Sequence, residues 1–186
     1  MKVGIFGGSF DPIHNFHTKI IGDALESKVV DEVWVIPCKR HAFGKNLSDS
    51  KHRVKMIEYA IKGMDHVRVD STELDSEGVN YTIDTVRKLK SKYDHDFYFM
   101  AGSDAVSDLP SWKDGAKLRE LIDFLVFERK GYSVREDSRD MTFYEKPLLG
   151  TSSTEIRERV AADKPIYELV HEDVEKYILR EGLYHE

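Results

Sequence analysis

The chain has one cysteine, Cys38, and so no internal disulfide, which fits a reducing compartment. No stretch approaches the ~20 apolar residues that a membrane helix needs. The first residues lack the charged-then-apolar pattern of an export signal. The expected location is the cytoplasm, with no membrane partner. Repeats, low-complexity tracts and Pro/Gly/Ser-rich linkers are missing, so residues 1–186 are expected to form a single domain. With 28 basic and 34 acidic residues the net charge is −6. That gives no overall attraction to nucleic acid, which is not expected as a partner. An acidic chain that handles phosphates must then hold a local basic cluster. Two phosphate-loop signatures are also absent: the lysine and spacing of a Walker loop, and the Gly-x-Gly-x-x-Gly of a dehydrogenase. Nor does any obvious carboxylate cage for a metal stand out, and no metal ligands are assigned.

What is present alternates between two periodicities. Short apolar runs at 2–6, 32–37, 67–69, 96–101 and 123–127 read as strands. Between and after them, apolar residues fall at helical spacing: Ile20, Ile21, Ala24 and Leu25; Val54, Ile57, Ala60 and Ile61; Ile83, Val86 and Leu89; and, near the end, Val170, Val174, Tyr177 and Ile178. The pattern predicts an α/β fold, a parallel sheet with helices on both faces. Ligands of such sheets bind beyond the carboxyl ends of the strands.

The segment Gly7-Gly8-Ser9-Phe10-Asp11-Pro12-Ile13-His14-Asn15-Phe16-His17 follows the first strand. Its glycines let backbone turn tightly and approach a ligand, and the N–H groups of the helix that follows suit a phosphate. His14 and His17 are three apart and share a face if both lie in the first helical turn. The bland alternative is a common strand-to-helix turn with ordinary histidines.

These residues resemble the Gly-Gly-Thr-Phe-Asp-Pro-x-His-x-Gly-His signature of the nucleotidyltransferase superfamily, and the resemblance is greatest to the bacterial nicotinate-nucleotide adenylyltransferases. It runs nearly the whole chain. Pro37, a basic loop and His52-Arg53-Val54-Lys55-Met56 are similar to the family's proline, Pro-His-Lys loop and Arg-x-x-Met helix. Tyr81-Thr82-Ile83-Asp84-Thr85, Gly102-Ser103-Asp104, Trp112-Lys113, Arg129-Lys130-Gly131 and Ser152-Ser153-Thr154-Glu155-Ile156-Arg157 follow in the family's order, and Gly182-Leu183-Tyr184 ends the match.

The resemblance implies a Rossmann-like nucleotidyltransferase fold and a reaction in which nicotinate mononucleotide attacks the α-phosphorus of ATP, with Mg2+ carried on the triphosphate. It implies His14, His17 and Arg157 as catalytic residues. Gly8, Ser9, Phe10, His17, Gly102, Asp104, Ser152, Ser153, Thr154 and Arg157 would bind ATP. Lys45, Thr82, Thr85, Trp112 and Arg129 would bind the mononucleotide. Each has a plain alternative: Ser and Thr cap helices well, and a tryptophan is often core. The family's Pro-His-Lys is absent here, and Lys39 or Lys45 could be its counterpart, Lys45 being nearer the next helix. Nicotinamide mononucleotide, another phosphorylated acceptor such as phosphopantetheine, and a regulatory module without catalysis stay open beside the main reading. So does oligomeric state, a homo-oligomer included.

Phe16 breaks the family's pattern, which has glycine there. Its ring is expected to point into the apolar core beside Ile20 rather than into the nucleotide cleft.

Overall fold

The computed structural model describes residues 1–40, 44, 46–76, 78–129, 141–148 and 150–185, without the side chains of 129 and 145–148. Six strands form one sheet: β1 (Lys2–Gly8), β2 (Glu32–Pro37), β3 (Val67–Val69), β4 (Asp96–Gly102), β5 (Asp123–Arg129) and β6 (Met141–Leu148). Their order is β3-β2-β1-β4-β5-β6 and every pairing is parallel. This is the doubly wound Rossmann order, in which the winding reverses between β1 and β4.

Alternate side chains of each strand enter opposite cores. On one face Phe6, Val33, Val35, Met100, Leu125 and Phe127 pack against α1 (Asn15–Glu26), α2 (Ser50–Ala60), α6 (Ser153–Ala161) and α7 (Glu172–Glu181). On the other, Ile5, Trp34, Phe97, Phe99, Phe124 and Val126 meet α3 (Thr82–Lys92) and α5 (Gly115–Leu121). The short α4 (Ser103–Ser107) follows β4 directly. Burial on both faces explains why the four inner strands read as continuous apolar runs. Packing is close at the centre: a Cβ on Gly4 would stand 2.6 Å from Met100 Sδ.

The sequence reading holds for five strands and misses β6. It also needs one correction at the first turn. Gly7 and Gly8 do not make it: both continue β1, paired with Ile36 and Pro37, and neither has positive φ. The sharp turn falls at Phe10, φ 48°.

Candidate active site

Two cavities open at the carboxyl ends of β1 and β4, where the winding reverses. They share Phe6, Gly7, Gly8 and Gly102. The larger, about 570 Å3, is bounded by the Ser9–Asp11 loop, the start of α1 and the start of α6. The smaller, about 340 Å3, lies toward α3 and Trp112.

At the start of α1, His14 is the N-cap and His17 stands three residues on. The two imidazoles stack with centroids 3.6 Å apart and planes at 15°. Their Nδ1 atoms cap the helix reciprocally: His17 N–H donates to His14 Nδ1 at 3.4 Å and His14 N–H to His17 Nδ1 at 3.3 Å. An Nδ1 that accepts must be unprotonated in the neutral ring, so the donor each neutral ring carries is Nε2–H. The capping box thus fixes tautomer and ring orientation together. Sequence spacing alone suggested a shared face; the reciprocal cap is the reason for it.

Across the larger cavity, Ser152 caps α6 by accepting from Glu155 N–H at 3.1 Å. Ser153 donates its hydroxyl to Pro12 O at 2.9 Å. Arg157 donates to Asp11 O at 2.7 Å and to Thr154 Oγ1 at 3.3 Å. Ser152, Ser153, Thr154 and Arg157 thus line the larger cavity while Ser152 caps α6, and two of these side chains also fasten the facing loop. Glu155, the acid of this first turn, is engaged by Thr151 at 2.8 Å and Arg159 at 3.0 Å. The Thr151 hydrogen bond leads in holding its carboxyl below the ordinary range. Gly102 and Asp104 line the same cavity at the start of α4, as do Gly8, Ser9 and Phe10.

The loop Ser9–Asp11 is fixed from three further directions that motif spacing did not reveal. Arg53, 1% exposed, donates to Ser9 O at 2.8 Å and Ser48 O at 2.9 Å. Asp11, 4% exposed, accepts from Ser48 N–H at 3.1 Å and from Tyr184 Oη at 2.7 Å. Burial first, then the Asp11 carboxylate, pushes the Tyr184 phenol far above its ordinary range, so it stays a donor. Acidic and aromatic residues this far apart carry no local pattern that could have paired them.

In the smaller cavity Trp112 stands edge-on to Phe99, centroids 6.0 Å apart. Thr82 and Thr85 open α3 there. Thr85 donates its hydroxyl to Glu73 Oε1 at 2.7 Å, so toward a ligand that oxygen has only lone pairs left. Glu73 is a wall residue that the sequence reading missed. Burial pushes its carboxyl upward, and the Thr85 bond offsets part of this. Asn80 joins this wall to the neighbouring loop: it accepts from Lys39 N–H at 2.8 Å and Arg40 N–H at 3.2 Å, and donates to Glu73 O at 3.1 Å. Cys38 also lines the cavity, with burial raising its thiol; a protonated thiol is a poor nucleophile. Lys39 Nζ donates to Ser76 O at 3.2 Å. Lys45 lies outside the described residues, as do His41, Gly131 and the side chain of Arg129.

Among the described residues no group of three or more His, Cys, Asp or Glu side chains could hold a metal ion. Among them, too, no helix is long and apolar enough to cross a membrane.

A Rossmann switch point flanked by helix N-termini, paired imidazoles and an arginine, with an aromatic-walled cavity beside it, defines an α/β protein built to handle nucleotides. The chain belongs to the cytidylyltransferase-like family, whose model matches residues 5–159. It is 38% identical over 186 residues to nicotinate-nucleotide adenylyltransferase of Bacillus subtilis, covering 98% of each chain. Its structure is similar to that of Plasmodium falciparum nicotinic acid mononucleotide adenylyltransferase complexed with NaAD: TM-score 0.86, 26% identity, 99% of this chain and 97% of that one. The same Plasmodium protein complexed with APC gives TM-score 0.84 at 26% identity, with the same coverage. The expected fold and family are borne out.

Proposed function

We infer that the protein transfers the adenylyl group of ATP to nicotinate mononucleotide, giving nicotinate adenine dinucleotide and pyrophosphate, a step of NAD biosynthesis. The observation that carries this is the pair of cavities meeting over Gly7, Gly8 and Gly102, in a chain alike over its full length to a nicotinate-nucleotide adenylyltransferase. One cavity suits a triphosphate and the other a flat ring, and their shared floor is where the two phosphates meet.

A 5′-phosphate oxygen of the mononucleotide attacks the α-phosphorus of ATP. The new P–O bond forms as the bond to the bridging oxygen breaks, and pyrophosphate leaves. Both reactants are anions, so catalysis is alignment plus charge neutralisation. We assign His14 and His17 to the α-phosphate and its neighbours through Nε2–H. The α6 N-terminus and Arg157 face the leaving pyrophosphate. Gly8, Ser9, Phe10, Gly102, Asp104, Ser152, Ser153 and Thr154 complete the ATP side. Thr82, Thr85 and Trp112 hold the mononucleotide, with Lys45 and Arg129 as the cations for its phosphate. The larger cavity presents N–H donors and cations, which fit phosphate oxygens better than a metal. Mg2+ is accordingly assigned to the triphosphate and water, where it neutralises charge on the leaving group. We further read residues 1–186 as one domain, working in the cytoplasm on small nucleotides rather than on nucleic acid.

The test is turnover of ATP with each pyridine mononucleotide, following dinucleotide and pyrophosphate together. A higher kcat/KM for the acid is expected, because hydrogen bonds to a charged carboxylate are the stronger ones. Parity, or a preference for the amide, reassigns the acceptor.

A further inference from the structure

Phe16 has no part in the chemistry above, yet it stands between the two histidines in sequence and borders the larger cavity. Its ring is 7% exposed and joins the core cluster that holds Ile20, as the sequence reading expects. The informative neighbour is on its other side. A Cβ placed on Gly150 would lie 2.4 Å from Phe16 Cδ2, 2.5 Å from Cγ and 2.9 Å from Cβ. Rotation about χ1 moves Cδ2 and Cγ but leaves Cβ where it is. A side chain at 150 is thus refused by the root of Phe16, and backbone must shift to admit one. Gly150 is not required by its own dihedrals, since its φ lies outside the left-handed region. The bulk present at 16 and the bulk absent at 150 are complementary.

The two positions meet beside the larger cavity: Phe16 lines it, and Gly150, packed against Phe16, leads into Thr151 and Ser152, which line it too. Phe16 lies in the first turn of α1, between His14 and His17. Gly150 immediately precedes Thr151 and the Ser152 cap of α6. We propose that Phe16 and Gly150 form a matched spacer that sets the separation between the histidine pair and the Ser152–Arg157 turn, so that Phe16 is a positioning residue for the nucleotide triphosphate. The inference rests on the functional reading for the identity of that ligand. It needs no contact between the ring and ATP. Interiors are close-packed and transmit displacements of this kind, and small misplacements of aligned groups are costly in such sites.

A double-mutant cycle tests it, read as the Kd for ATP in the absence of any acceptor, with the Kd for nicotinate mononucleotide and the melting temperature alongside. Gly150→Ala is expected to weaken ATP about tenfold and the mononucleotide by less than about twofold. Phe16→Gly removes the Cβ and ring that meet the new methyl. The Phe16→Gly/Gly150→Ala double variant is therefore expected to bind ATP more tightly than Gly150→Ala alone, with a coupling of about tenfold between the sites. Unchanged ATP affinity in Gly150→Ala, additive effects in the cycle, or equal weakening of both ligands overturns the proposal. Should Gly150→Ala fail to fold, a folded double variant that binds ATP supports it, and a double variant that also fails to fold overturns it. A wild-type protein that does not bind ATP removes the functional reading instead.

Discussion

The two cavities on either side of Gly7–Gly8 are built from different materials. The larger sets donors for an anion, at two helix N-termini, the stacked imidazoles and Arg157, against an apolar backing of Phe6, Phe10 and Phe16. The smaller is walled by Trp112, Phe99 and Tyr81, with one buried carboxylate, Glu73, behind Thr85. On the proposed function the first would neutralise charge and the second would read shape. Because they share only a short floor of backbone, a substitution in one should alter one substrate's parameters and leave the other's nearly alone.

His17→Ala should have the largest effect. Loss of a donor to developing charge typically costs ~10²–10³ in kcat, and the KM for the mononucleotide should barely move. A folded His17→Ala protein with near-normal kcat removes this residue from the chemistry. Next, Trp112→Ala should raise the KM for the mononucleotide about tenfold, since an aromatic partner contributes ~0.5–1.5 kcal/mol beyond its area; the KM for ATP should stay within about twofold. Steady-state kinetics with each substrate varied checks both, and parallel changes in the two KM values break the separation.

Tyr184→Phe leaves the buried Asp11 carboxylate one donor short. Hydrogen bonds to charged groups contribute ~1.5–3 kcal/mol, so a fall of about 3–10 °C in melting temperature is expected for a chain of this size. Because Asp11 belongs to the loop of the larger cavity, the KM for ATP should rise and that for the mononucleotide should not. Thermal melts and kinetics on the same preparation decide the point.

The smallest effect concerns Glu73. Its folded pKa is raised by burial, so the folded protein holds that proton more tightly than the unfolded chain. The stabilisation is complete below the unfolded carboxyl value and is lost as pH rises through the folded one. Glu73→Gln keeps an acceptor for Thr85 and cannot ionise. The variant should match or exceed the wild type at pH 8 and lose that advantage near pH 4. Melting curves across pH that run parallel for the two proteins dispose of the idea.

The four inner strands were legible because burial on both faces leaves apolar runs that no charge interrupts, and the edge strand β3 because Val67 and Val69 alternate around Arg68. β6 was not: it is an edge strand, and Glu145, Lys146 and Pro147 break its pattern, as edge strands commonly do. Short α4 and α5 were hidden for a related reason, being too brief to show a period. Within the site, residues from contiguous motifs could be named from sequence. Those joined across it could not. Glu73 and Thr85 are 12 residues apart across a loop, and Arg53 reaches Ser9 from another helix. Phe16 could be recognised as a departure, but its close fit against Gly150 is visible only in the structure.

The hydrogen bond from Tyr184 to Asp11 joins positions 173 residues apart. Its consequence is one of timing. Loop closure over such a span contributes nothing until both ends exist, and Ser153 and Arg157, which also fasten this loop from far along the chain, arrive late too. As the chain emerges from the ribosome, β1 and α1 are made first, yet the turn between them is tied down last. A nascent chain holding all six strands therefore has its sheet before it has a finished nucleotide loop, and affinity for ATP should lag behind secondary structure during synthesis or refolding.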